Sequence, residues 1–380
     1  MKKPIVAITM GDPASIGPEI SLKVFQNPEL FERCRPLVVG DANVLNKVMS
    51  VLPDRQMPLN IIHDVKEAKF EPGSMDVLDM GLVDIDQLKF GVVSKMAGNA
   101  AFEYVKKVID LAMDHEVDAT VTNALNKEAM NLAGHHFAGH TEIYAHYTHT
   151  KNYTMMLANE NVRVVHISTH VSLREACDLV KKPRVAEVIR IANDACKRLG
   201  IKHPRIGVAG LNPHSSENGL FGHEEANEIS PAIEETKAEG IDVDGPVPPD
   251  TIFPKAIGGW YDIVVAMYHD QGHIPLKVIG FKYDQAKKKW NSVAGVNVTL
   301  GLPIIRTSVD HGTAFDQSLK GTANEISLEN AIDYAIKLAN NKWSRFHLGI
   351  GSAIRFDLRI VEPFSTSALS SPSEPTTLAW

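Results

Sequence analysis

A chain of 380 residues, 44% of them hydrophobic, can bury a sizeable core, and its length favours two lobes over one. A formal net charge of −7 with interspersed signs leaves no broad basic surface, which argues against nucleic acid as the main partner. No apolar run approaches the ~20 residues of a membrane helix, and the three cysteines, Cys34, Cys177 and Cys196, include no CxxC pair, as expected of reduced cytoplasmic thiols.

The opening MKKPIVAITMGDP breaks its apolar stretch at Gly11-Asp12-Pro13, too soon for a signal peptide, and reads as a first strand over Pro4–Met10. A Gly/Pro turn follows, then Pro18–Phe25 with helical spacing and proline in the first turn, where its missing amide costs nothing. Pro36–Gly40 reads as the next strand. Gly98–His115 is an amphipathic helix with Phe102, Val105, Ile109 and Met113 on one face. Asp118–Thr122 is strand-like and leads into another helix after Asn126. This alternation predicts an α/β fold on a largely parallel sheet. From about Lys342 the pattern decays into a Ser/Pro/Thr-rich stretch, so 342–380 is expected to be a disordered tail.

Three β-like runs each end on a histidine in a polar loop. Arg163–Ser168 runs into His170, Arg205–Gly210 into His214, and Asp262–Met267 into His269. Ligand sites of open α/β sheets lie outside the carboxyl ends of strands. Three imidazoles there can occupy three corners of a divalent cation and leave one open for substrate. For any one histidine alone an unrelated polar loop is the better reading; the repetition shifts the balance toward a metal site.

Familiar cofactor loops are missing. Gly11 to Gly17 is neither GxGxxG nor a Walker A sequence, and HExxH and GxSxG are absent. The Gly-rich turn either binds an anion through free amides or is a tight strand–helix connection. Likewise Gly139-His140-Thr141-Glu142 opens a helix whose N-terminus suits a phosphate or carboxylate, or is a simple cap. Further on, YHDQGHIPLK and GVNVTLGLPIIRTSVDHGT are dense in ligating and hydrogen-bonding groups, with Arg306 able to grip an anion bidentately.

At these residues the chain resembles the 4-hydroxythreonine-4-phosphate dehydrogenase (PdxA) family of vitamin B6 synthesis. GDPASIGPEI, GHTE, THVSL, GLNPHSSENG, GPVPPDT, AMYHDQGHIPLK and GVNVTLGLPIIRTSVDHGTAFD carry the likeness, over about residues 4 to 340. The resemblance implies a two-lobed fold similar to isocitrate and isopropylmalate dehydrogenases, with a cleft between lobes. The first lobe would comprise 1–139 plus 305–341, and the second 140–304. It also implies a homodimer with a metal site shared between subunits.

Position by position, it implies metal ligands His170, His214 and His269 and substrate contacts from His140, Thr141, Lys277, Asn297 and Arg306. The metal would be zinc, magnesium, manganese or cobalt. NAD would lie along Leu302, Thr307, Ser308, Asp310, His311, Gly312 and Asp316, without a Rossmann motif. The base would be Lys277 or a carboxylate-linked water, with Asp250 and Asp270 as second-rank catalytic candidates. His166 reads as a core histidine, while His273 stands where relatives often have an apolar residue.

The insertion 282–294, together with TNALNKEA, looks more like the sister branch acting on 4-phospho-D-threonate or 4-phospho-D-erythronate. The expected reaction is NAD-linked oxidation of a phosphorylated hydroxy acid to a β-keto acid, followed by loss of carbon dioxide. Two other classes are weighed against it. A phosphate acyltransferase would need no histidine trio, and a non-catalytic metabolite-binding protein would never reduce NAD.

Overall fold

The structure, a computed structural model, describes residues 2–159, 162–285, 289–293 and 295–347. Among the described residues there are fourteen strands, most of them separated by helices. They are β1 (Ile5–Thr9), β2 (Arg35–Gly40), β3 (Leu59–Ile62), β4 (Met75–Asp79), β5 (Ala119–Thr122), β6 (Thr154–Asn159) and β7 (Val162–His166), followed by β8 (Ile206–Ala209), β9 (Val243–Val247), β10 (Ile263–Ala266), β11 (Phe281–Asp284), β12 (Lys289–Val293), β13 (Val296–Leu300) and β14 (Arg306–Val309). Twelve form one sheet in the order β3-β4-β2-β1-β5-β14-β13-β6-β7-β10-β8-β9.

The flanks of this sheet are parallel, as the alternation predicts, but its centre is not. β13 runs antiparallel to β14 and to β6, and β6 runs antiparallel to β7. The connections explain this. Only 160–161 separate β6 from β7 and only 301–305 separate β13 from β14, too few residues for a parallel crossover. The strands on the two sides of this seam therefore run in opposite senses. β1–β5 and β14 lie on one side, with β7–β10 on the other.

Strands such as β1 and β2 are buried along nearly their whole length, because helices cover both faces of a parallel sheet. The helix Lys95–Met113 begins where the Ser94 side chain accepts the Ala97 amide at 3.2 Å. Its buried face carries Phe102, Val105 and Ile109, each contributing roughly 1.5–3 kcal/mol. Met113 is exposed, contrary to the expected stripe, and Ala112 takes the inward position as the face drifts around the helix. Asn126 caps Lys127–Leu132 in the same way, accepting from Ala129 at 2.8 Å.

The insertion forms a two-stranded antiparallel hairpin, β11 with β12, outside the main sheet. The last helix spans Ile326–His347, so it continues past the expected start of the tail; the rest of the tail lies outside the described residues. Among the described residues, no helix is long and apolar enough to cross a membrane.

Candidate active site

At the seam, one face of the sheet is polar where a core would be apolar. Register places Arg306 opposite both Thr120 and Thr299, and Ser308 opposite Thr122 and Asn297. With a side-chain period of two, these six residues project to the same face. Five of them are buried, Asn297 less completely. Buried polar groups demand partners, and Arg306 finds hydroxyls: Nη1 donates to Thr299 Oγ1 at 3.0 Å and Nη2 to Thr122 Oγ1 at 2.9 Å. A longer bond runs to Asn297 Oδ1 at 3.4 Å.

Arg306 is 2% exposed, yet among the described residues no carboxylate pairs with it. Burial pulls its pKa down to about 10, with Tyr144 and Glu142 opposing, so it stays cationic at neutral pH. A buried cation held only by neutral oxygens is costly unless an anion completes the site.

The space beside it is a cavity of about 270 Å³ that reaches from His140 and Thr141 across Arg306 to Asp310 and His311. Four buried polar atoms of residues lining this cavity have no hydrogen-bond partner among the described residues: His140 Nε2, Glu142 Oε2, Arg306 Nε and His311 Nε2. Burial, then Arg306 and Lys127, holds the His140 pKa well below the ordinary value, so its ring is neutral. Burial also lowers His311. His140 opens the helix His140–Tyr147 at the cavity wall, and Thr141 Oγ1 lies 3.4 Å from Thr299 Oγ1. A larger cavity of about 400 Å³ adjoins Thr141 and His170, and two of its charged side chains, Arg184 and Glu187, pair with each other at 2.6 Å.

Lys277, in the helix His269–Gly280, ion-pairs with Asp310 at 3.1 Å. Burial raises the Asp310 pKa and Lys277 opposes that rise. This helix packs closely on β7 because position 272 is glycine. A Cβ there would sit 2.4 Å from His166 Nε2. His166 is buried, as expected of a core histidine, and burial pushes its pKa down to about 3. His273 is buried too, and its ring stacks on His269 with centroids 3.7 Å apart.

The three strand-end histidines do emerge after β7, β8 and β10. His170 and His269 come together, ring centroids 6.2 Å apart. His214 lies elsewhere, beside Phe221, in a run from His214 to Asn218 that is left-handed at every residue. Such conformations in non-glycine residues cost on the order of 1 kcal/mol each and concentrate at functional sites. Among the described residues, no three His, Cys, Asp or Glu side chains converge as a metal site within one chain. Each of the three histidines has a carboxylate at Nδ1: Glu142 at 3.5 Å from His170, Glu217 at 3.1 Å from His214, and Asp270 at 2.6 Å from His269. The roles of Glu142 and Glu217 were not read from the sequence, although Glu142 belongs to the quoted GHTE motif.

The expected cofactor segment is split by the pleat. Ser308, Asp310, His311 and Gly312 line the cavity. Thr307 points to the opposite face, where its hydroxyl donates to Ala331 O at 2.7 Å. Leu302 is buried on that side as well, near Ile191 and Ala195 of the helix Lys182–Arg198. Of the residues expected to contact NAD, Thr307 and Leu302 thus lie away from this cavity. Asp316 is exposed and accepts from Gln317. Asp250, also exposed, begins the helix Pro249–Ile257, which packs against the turn holding His214. Asp270 is engaged with His269 rather than lining the cavity.

The D-threonate 4-phosphate dehydrogenase of Pectobacterium atrosepticum is 47% identical over 335 residues, 88% of this chain and 99% of that protein. The enzyme of that name from Salmonella typhimurium is 47% identical over 340 residues, 89% of this chain and all of that one. A crystal structure of 4-hydroxythreonine-4-phosphate dehydrogenase from Klebsiella pneumoniae superposes with a TM-score of 0.78 at 44% identity, covering 89% of this chain and 100% of that chain. The terephthalate 1,2-cis-dihydrodiol dehydrogenase of Burkholderia xenovorans is more distant, with a TM-score of 0.61 and 27% identity over 88% of this chain and 98% of that one. The family model described as pyridoxal phosphate biosynthetic protein PdxA matches residues 32–335, and the chain belongs to that family.

Proposed function

We propose that this protein is an NAD-dependent, divalent-metal-dependent dehydrogenase that oxidises and decarboxylates a four-carbon 4-phosphorylated 3-hydroxy acid. The substrate is 4-phospho-D-threonate or 4-phospho-D-erythronate, and the products are dihydroxyacetone phosphate and carbon dioxide. One observation carries this reading: a buried guanidinium, Arg306, faces the cavity and, among the described residues, makes no direct ion pair with a carboxylate. An anionic substrate supplies the missing charge. The relatives named D-threonate 4-phosphate dehydrogenase support this choice of anion. The solved structure named 4-hydroxythreonine-4-phosphate dehydrogenase favours the second reading, in which the substrate carries an amine.

Arg306 and the helix start at His140 and Thr141 hold the phosphate or the carboxylate. Neutral His140 donates or accepts a hydrogen bond without adding charge. Lys277, tethered by Asp310, stands beside the cavity as the group that moves the hydroxyl proton. Histidine nitrogens are suitable donors for zinc, cobalt or manganese, and His170, His214 and His269 would hold the cation. That cation would supply a Lewis acid for the hydroxyl and for the charge developing as carbon dioxide departs. NAD would accept the hydride, held by Ser308, Asp310, His311 and Gly312, where the His311 Nε2 lacks a partner.

The active unit is a homodimer. His214 does not join His170 and His269 within one chain, and exposed apolar side chains flank all three: Leu173, Leu220 with Phe221, and Ile274 with Val278. A two-fold interface on that surface covers them and brings His214 to the partner's pair. Two lobes, 1–139 with 305–341 and 140–304, meet at the β13–β14 seam. All three cysteines are free thiols, which suits the cytoplasm.

The test is NADH formation, followed spectrophotometrically, with the three phosphorylated acids and added divalent metal. Turnover of the threonate or erythronate ester supports the main reading, and preference for 4-phosphohydroxythreonine supports the second. Chelator-insensitive acyl transfer, or binding without NAD reduction, would place the protein in another class.

A further inference from the structure

We propose that Glu142, Glu217 and Asp270 are positioning residues, each holding Nδ1 of one histidine so that Nε2 is the nitrogen presented to the cation. The inference rests on the metal reading above and deepens it. The chain has 16 histidines, yet among the described residues only His170, His214 and His269 lie within 4.0 Å of a carboxylate. In all three pairs the nitrogen engaged is Nδ1.

The other histidines behave differently. Nδ1 of His166, His273 and His311 faces a backbone carbonyl, that of Met155, His269 and Gly312 respectively, and His135 meets the Asn99 side chain. The acidic partner is thus confined to the rings that come off strand ends. Three different local geometries produce it. Asp270 adjoins His269 in sequence, Glu217 follows His214 by three residues, and Glu142 reaches His170 from another helix. No single sequence accident accounts for all three.

Stability gives little reason for the arrangement. The Glu217 and Asp270 side chains are 53% and 69% exposed, and ion pairs in such settings contribute little. Ligand geometry gives a strong one. A carboxylate accepting from Nδ1–H fixes the tautomer, leaves the Nε2 lone pair free and fixes the ring plane.

The experiment is a competition titration of the full-length protein with Zn²⁺ against a chromogenic chelator. Parent, Glu142→Gln, Glu217→Gln and Asp270→Asn are compared, with Glu235→Gln, in a surface ion network, as control. Each of the three variants should bind Zn²⁺ ~10-fold or more weakly, with the control unchanged. Nitrogen-15 spectra of histidine-labelled apoprotein should show Nδ1-protonated rings in the parent and mixed tautomers in the variants. Affinities within about twofold of the parent for all three variants would overturn the inference. His214→Ala separates the two levels of the argument. If it abolishes Zn²⁺ binding while the amide variants bind normally, only the positioning role falls. If it leaves Zn²⁺ binding intact, the metal reading itself falls.

Discussion

Lys277 Nζ and Asp310 Oδ2 lie 3.1 Å apart, which ties the helix after β10 to the loop after β14, where Asp310 lines the cavity. The pair sets where the ammonium sits relative to Arg306. Lys277→Met is expected to lower kcat by ~10²–10⁴-fold. Asp310→Asn leaves the lysine but frees its position, so a smaller loss in kcat is expected. Steady-state kinetics check both, and an equal loss in the two variants would argue that Lys277 serves only to neutralise Asp310.

Arg306 is buried at a cost in the ligand-free protein and is useful only when an anion arrives. Arg306→Met should therefore melt no lower than the parent without substrate. Its KM for the phosphorylated acid should rise ~10²-fold, since a charge-assisted bidentate contact is lost. A clear fall in Tm with unchanged KM would assign Arg306 to architecture instead.

The proposed sharing of the site between two subunits makes a complementation prediction. His214→Ala and His269→Ala homodimers are each expected to be inactive. Mixed and allowed to exchange, they should recover about a quarter of parental activity. Half of the dimers are hybrids, and each hybrid carries one intact site of two. Failure to recover any activity, with subunit exchange verified by mass spectrometry, would show that the trio is not shared.

Asp12 offers a test by pH. Burial raises its pKa from 3.8 to about 6, opposed by the Ala14 amide, and its Oδ2 has no partner. With the folded value above the unfolded one, the protonated form favours folding. That contribution is full below about 3.8 and is lost as pH rises through about 6. Asp12→Asn removes the titration, so its Tm relative to the parent should rise between pH 4 and pH 8. About two pKa units correspond to roughly 3 kcal/mol at most. Thermal scans at the two pH values check the sign, and any constant cost of the amide cancels between them.

The strand-end placement of the three histidines is legible because strand ends announce themselves. His170, His214 and His269 were each placed by a short apolar run followed by a polar loop, and the structure puts them after β7, β8 and β10. Two kinds of information were harder to see. The reversal at β13 depends on how few residues join neighbouring strands, and motif reading passed over that spacing. The pleat is available in principle, since alternation alone separates Arg306 and Ser308 from Thr307. Glu142 and Glu217 were hidden for a different reason. A carboxylate near a histidine in sequence has no direction until the backbone is folded, and the left-handed run from His214 to Asn218 is what turns Glu217 onto its ring.

Backbone hydrogen bonds cross the β14–β13–β6 seam without a break, so no flexible peptide separates the two sides. Any movement of one flank against the other therefore has to bend or twist this shared ribbon rather than turn on a slack linker.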